Sequence, residues 1–78
     1  MAIDGNNIFA LNNKGLALSK LGKYPEAIEC YEKALAIDGN YSIALNNKGD
    51  ALFKLGRYPE AIECFEKALD SKDEDSLI

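Results

Sequence analysis

Apolar positions along this chain recur three and four residues apart rather than in alternation, the spacing of helices that bury one face. From Ile8 to about Leu21 the large residues Leu11, Leu18 and Leu21 keep that spacing, with the small residues Ala10, Gly15 and Ala17 among them. Gly22 then ends the helix, because glycine enters the left-handed region without a Cβ penalty. Tyr24-Pro25 follows, and proline suits a first helical turn, where its missing N–H has no partner to lose. A second helix is predicted from near Pro25, with Ala27, Ile28, Tyr31, Ala34, Leu35 and Ile37 on one broad face. Glu26 and Glu29 stand near its positive end and Lys33 near its negative end. Glu29 and Lys33 also form an i, i+4 pair, worth roughly 0.2–0.5 kcal/mol. Asp38-Gly39-Asn40 closes this helix, with Gly39 as the expected cap.

The pattern then starts again. Ala10 to Leu35 returns thirty-four residues later as Ala44 to Leu69, and the two strings differ at four places: Leu16/Asp50, Ser19/Phe53, Lys23/Arg57 and Tyr31/Phe65. Ala2 to Asn6 likewise returns as Ala36 to Asn40, so the chain opens on the end of a unit, as a piece of a longer array would. A fixed period of this length, in units too small to bury a core alone, predicts a stacked repeat protein. The third helix is expected from about Ser42 to Leu55, followed by Gly56, and the fourth from Pro59 to about Leu69 or a little beyond. Short loops make each helix pair antiparallel. The fold expected is therefore all-α: one repeat domain over residues 1–78, four helices in two antiparallel hairpins, with repeat one over about 8–41 and repeat two over about 42–71. After Leu69 the copying stops and an acidic tail is expected over 72–78. Acidic residues at a helix C-terminus oppose the macrodipole, so the last turn is expected to fray. These carboxylates lack the glycine and closing glutamate of a calcium loop.

Composition narrows the function. The chain has nine Lys and Arg against thirteen Asp and Glu, a formal net charge of −4, and no histidine. Such a balance draws in neither a phosphate backbone nor an anionic membrane surface. An RNA-binding helical-hairpin repeat would need basic helix faces. No leader of the charged-then-apolar kind and no run long enough to span a bilayer is present, so a cytoplasmic location is expected. Cys30 and Cys64 occupy equivalent positions outside any CxxC or Cys/His cluster and are expected as reduced thiols. There is no phosphate-cradling glycine loop and no catalytic constellation, so no enzyme, metal or cofactor is expected.

Gly15 in the first helix, Ala27 early in the second, an aromatic at Tyr31 and Ala34 one turn later, with Gly49, Ala61, Phe65 and Ala68 in the same places thirty-four residues on, resemble the tetratricopeptide repeat. The resemblance covers Ile8 to about Ser71. The chain departs from the usual pattern where a tryptophan is Leu11 or Leu45, where a leucine is Lys14 or Lys48, and where a closing proline is Gly39. Independently of the family, Gly15, Ala27 and Ala34 allow close helix approach while Tyr31 and Leu18 fill the space beside them. Enlarging Ala27 is expected to cost roughly 1–3 kcal/mol as overpacking.

The differences between repeats point to a surface. Leu16/Asp50 and Ser19/Phe53 change chemistry, and they share a helix face with Asn12/Asn46 one turn earlier. A face free to vary is the expected groove. The family resemblance implies the same concave surface lined by the first helices of the repeats, and adds Phe9, Asn13 and Lys20 in repeat one and Ile43, Asn47 and Lys54 in repeat two. It implies a non-catalytic interaction module that binds a protein, an extended peptide or a partner helix. Relatives that clamp acidic chaperone tails use a lysine where this chain has Asn12 and an asparagine where it has Leu16; only Asn47 matches, so that clamp is not implied. Read without a ligand, the same positions are simply exposed scaffold residues. A second reading makes the chain a minimal or idealised structural repeat unit whose main property is self-association. Its open ends, with Leu11 and Leu18 on one side and Ile62, Phe65 and Leu69 on the other, are then met by another copy, by head-to-tail stacking or by domain swapping.

Overall fold

The computed structural model describes residues 7–76, which form four α-helices: α1 (Ile8–Lys20), α2 (Tyr24–Ile37), α3 (Ser42–Lys54) and α4 (Tyr58–Ser76). Local chemistry sets most of the boundaries. Asn7 caps α1, its Oδ1 accepting from the Ala10 amide at 3.0 Å. At the other end Gly22 adopts φ 81°, and the amides of Gly22 and Lys23 donate to the carbonyls of Ser19 at 2.9 Å and Leu18 at 2.8 Å. This paired closure satisfies two otherwise orphaned carbonyls. Gly56, at φ 80°, repeats it with Arg57 against Phe53 and Leu52.

Gly39 behaves differently from expectation. Its φ lies outside the left-handed region, and α2 ends through Asp38 instead. The Asp38 carboxylate accepts from the Asn40 amide at 3.0 Å, and the Asp38 carbonyl accepts from the Tyr41 amide at 3.1 Å. An Asx-type turn thus does the work assigned to glycine. The fourth helix is longer than expected: it continues past Leu69 through Ser76. Lys72 stands in the second copy where Asp38 stands in the first, so the turn that stops α2 has no equivalent in α4.

The core lies where the hairpins meet. Ala27, Ile28, Tyr31, Ala51, Leu52 and Ala61 form one buried cluster, with Leu18, Tyr24, Cys64 and Phe65 packed against it. The small-residue expectation holds in detail. A Cβ placed on Gly15 would collide with the Tyr31 ring, and one on Gly49 would lie 2.6 Å from Phe65 Cε1. Each glycine therefore admits an aromatic ring from the facing helix at a distance no side chain allows. Ala27 and Ala34 are fully buried, and Cys30 joins them in the interior as a free thiol. Among the described residues Glu29 and Lys33 form no ion pair; Arg57 instead makes two hydrogen bonds to Glu60, at 2.8 and 2.7 Å, and Lys48 of α3 reaches Glu32 of α2 at 3.4 Å. No described helix is long and apolar enough to cross a membrane.

Candidate functional site

The first helices of the two repeats, α1 and α3, both pack against α2, and a polar bridge joins them where they meet. Asn47 Nδ2 donates to Asn12 Oδ1 at 2.9 Å, and Asn12 is only 5% exposed. Asn12 is therefore an interior residue and not a solvent-facing member of the surface, while its repeat partner Asn46 is exposed. Asn47 spends an amide hydrogen on this bridge, which reduces what it can offer a ligand.

Along the same face, α1 and α3 border an open cleft of about 310 Å³ lined by Leu16, Ser19, Lys20, Asp50 and Lys54, with Tyr24 from the start of α2. Five residues singled out from the sequence are thus brought together. Phe9, Asn13, Ile43, Asn46 and Phe53 are exposed but lie outside the cleft lining. Aromatic pairs stand near the two ends of the face. Phe9 meets Tyr41 edge to face with ring centroids 6.1 Å apart, and Phe53 meets Tyr58 in the same manner at 5.0 Å. Comparing the repeats does not reveal Tyr24 and Tyr58, which open α2 and α4, or Tyr41, which caps α3, because none of them lies along the first helix of a repeat. For Tyr24 and Tyr58 the tight Gly22 and Gly56 turns were the available signal, since they return the chain beside the end of the helix just left.

Ser19 has a role inside the scaffold as well. Its Oγ lies 3.3 Å from the Tyr31 hydroxyl, in a partly buried contact. Repeat two has Phe53 and Phe65 at these places and so has neither hydroxyl. Two of the four differences between repeats are therefore one coupled change in packing chemistry. Burial pushes the Tyr31 phenol above its ordinary pKa, the Ser19 hydrogen bond draws it back in part, and the Asp50 carboxylate adds to the rise.

A second cleft of about 440 Å³ opens between α2, α3 and α4, with Leu35, Leu45 and Cys64 beneath a rim of Glu32, Lys48, Glu63 and Lys67. Its rim carries both signs and includes the Lys48–Glu32 pair. Burial raises the Cys64 thiol pKa, which keeps it protonated and poorly nucleophilic. Among the described residues no group of three His, Cys, Asp or Glu is placed to hold a metal ion.

The residues assigned to the open ends divide. Leu18 and Phe65 pack against the core of their own hairpins, and Leu11 is half-buried. Ile62 and Leu69 are 53% and 58% exposed on the outer side of α4.

Comparisons with known proteins agree with this architecture. Tetratricopeptide-repeat signatures match residues 7–74. The structure superposes on the crystal structure of MamA with a TM-score of 0.85 and 30% sequence identity, covering 91% of this chain and 42% of that one. It superposes on the second tetratricopeptide domain of Spaghetti (RPAP3), bound to the HSP90 peptide SRMEEVD, with a TM-score of 0.80 and 38% identity, covering 85% of this chain and 61% of that one. The chain thus spans less than two thirds of either structure it resembles. No curated protein sequence gives a significant match. A thirty-four-residue helical hairpin repeated in phase, glycines that admit facing aromatic rings, and a match running from residue 7 to residue 74 place the chain in the tetratricopeptide-repeat family.

Proposed function

We propose that this chain is a non-catalytic interaction module that binds an extended peptide or a partner helix on the concave face lined by α1 and α3. The observation that carries the reading is the cleft whose lining combines the apolar surface of Leu16 and Tyr24 with Lys20 and Lys54, and with Asp50 as the one carboxylate. Apolar walls give a peptide side chain somewhere to leave water, and sparse charges fix its direction. Two ammonium groups against one carboxylate favour segments carrying an acidic residue beside an apolar one. The RPAP3 domain, which holds a peptide rich in carboxylates, supports a peptide as the class of partner. The clamp residues known from acidic-tail binders are not reproduced here, because Asn12 and Leu16 stand at the first two places.

A displayed library of short peptides panned against the chain tests this reading. Ligands are expected to share an acidic residue next to an apolar one, to saturate, and to lose most of their affinity on Lys20→Glu or Lys54→Glu. Exposed Lys33→Glu on α2 is expected to change little. Ligands that ignore both lysine variants, or a library that enriches nothing, would overturn the assignment.

A further inference from the structure

The two outer faces of this chain match one another in the register that its inner junction already displays. At that junction Ile28 and Leu45 are buried, Glu32 Oε2 sits 3.4 Å from Lys48 Nζ, and Asn47 Nδ2 donates to Asn12 Oδ1 at 2.9 Å. Thirty-four residues from each member stands a residue of the same type on an outer face. Ile62 repeats Ile28, yet is 53% exposed where Ile28 is 7% exposed. Leu11 repeats Leu45 and is half-buried, and Glu66 and Lys14, which repeat Glu32 and Lys48, are exposed with no ion-pair partner among the described residues. Asn46 and Asn13, which repeat Asn12 and Asn47, are exposed as well, without a side-chain hydrogen bond among the described residues.

We propose that these faces bind each other between copies. The α4 face of one copy stacks on the α1 face of a second copy, Glu66 against Lys14 of the second copy and Asn46 against Asn13 of the second copy. Charge complementarity selects this occupant. The carboxylate lies on one face and the ammonium on the other, at the register where the inner junction already pairs them. An unrelated partner would have to supply apolar cover for Ile62, an ion pair and an amide pair together, whereas a second copy carries all three by repetition. Ile62, Glu66 and Leu69 all precede Ser71, the counterpart of Ile37 at the end of α2, so the extra length of α4 lies beyond the matched positions. The contact is heterologous, so every stack keeps one free face at each of its ends and can continue to grow. It also sets α1 of the second copy beside α3 of the first, which lengthens the peptide-binding face.

Sedimentation equilibrium of the whole chain from micromolar to millimolar concentration tests the proposal. The average mass is expected to rise past that of a dimer without a plateau. Glu66→Lys and Lys14→Glu change exposed side chains and are expected to keep the helical circular dichroism signal. Each is expected to weaken association about fivefold, since an attraction of a few tenths of a kcal/mol becomes a similar repulsion. An equimolar mixture of the two variants restores opposite charges wherever unlike copies meet and is expected to regain association to within about twofold of the unmodified chain, because half of the copies are complementary to any given one. Ile62→Asp is expected to weaken association about fiftyfold, because it removes the apolar contact and buries a carboxylate. A monodisperse monomer at millimolar concentration would overturn the proposal. So would association that ignores both charge reversals and their mixture, the behaviour of a swapped dimer.

Discussion

Asn47 donates its side-chain amide to Asn12 across 2.9 Å, and this single bond ties the first helix of one repeat to the first helix of the next. Asn12 is buried, so its carbonyl oxygen depends on that donor. Asn47→Ala is expected to destabilise the fold by about 1–3 kcal/mol, the cost of leaving a buried acceptor unsatisfied. Asn46→Ala, at an exposed position, is expected to stay within about 0.5 kcal/mol of the parent. Urea melts at low protein concentration compare them, and equal midpoints would mean the bridge carries no weight.

Gly49 and Phe65 set a second test. The ring of Phe65 occupies the space in which a side chain at 49 would begin. Gly49→Ala gains about 1 kcal/mol of helix propensity, but the ring must be displaced, and overpacking costs about 1–3 kcal/mol. Net destabilisation is expected, relieved in part by adding Phe65→Leu. A rise in the unfolding midpoint of Gly49→Ala would refute the close approach.

The hydroxyl contact between Ser19 and Tyr31 predicts coupling. Tyr31→Phe alone is expected to cost about 0.5–1.5 kcal/mol by removing a hydrogen bond. Together with Ser19→Phe it recreates the pair found in repeat two, and the double variant is expected to be more stable than the sum of the single changes implies. A double-mutant cycle closing at zero would show that the two residues act independently.

Stability is also expected to fall in alkali. Burial raises the pKa of the Tyr31 phenol above its ordinary 10.0 and that of the Cys64 thiol above its ordinary 9.0. The folded state therefore holds both protons more tightly than the unfolded state. Their contribution is complete below the unfolded values and is lost as pH rises through the raised folded values. Thermal melts above pH 9.0 are expected to show the midpoint declining, first through the thiol and then through the phenol, with a shallower decline for Tyr31→Phe. A parent and variant that decline alike would remove Tyr31 from this account.

Much of the fold could be read from spacing and turn chemistry. Gly22 and Gly56 end helices as local sterics require, and Gly15 and Gly49 admit the rings that recur with them. Gly39 misled because the same tripeptide contains Asp38, whose side chain makes its own turn. The helix α4 runs past its expected end because charge opposing a dipole supplies no stop, and the stopping Asp38 has no counterpart there.

The candidate site was legible only in outline. Repetition identified a variable face, but residues of one type at equivalent places have different surroundings: Asn12 is interior and Asn46 exposed, Ile28 buried and Ile62 exposed. The sequence by itself determined the repeat period, the helices and the small-to-large complementarity, because these rest on contacts within a few turns or on an exact recurrence. Tertiary structure decided which copy of each residue meets a neighbour. Asn12 and Asn47, Ser19 and Tyr31, and Glu32 and Lys48 pair across helices, and a helix periodicity says which face a residue occupies but not what stands opposite it.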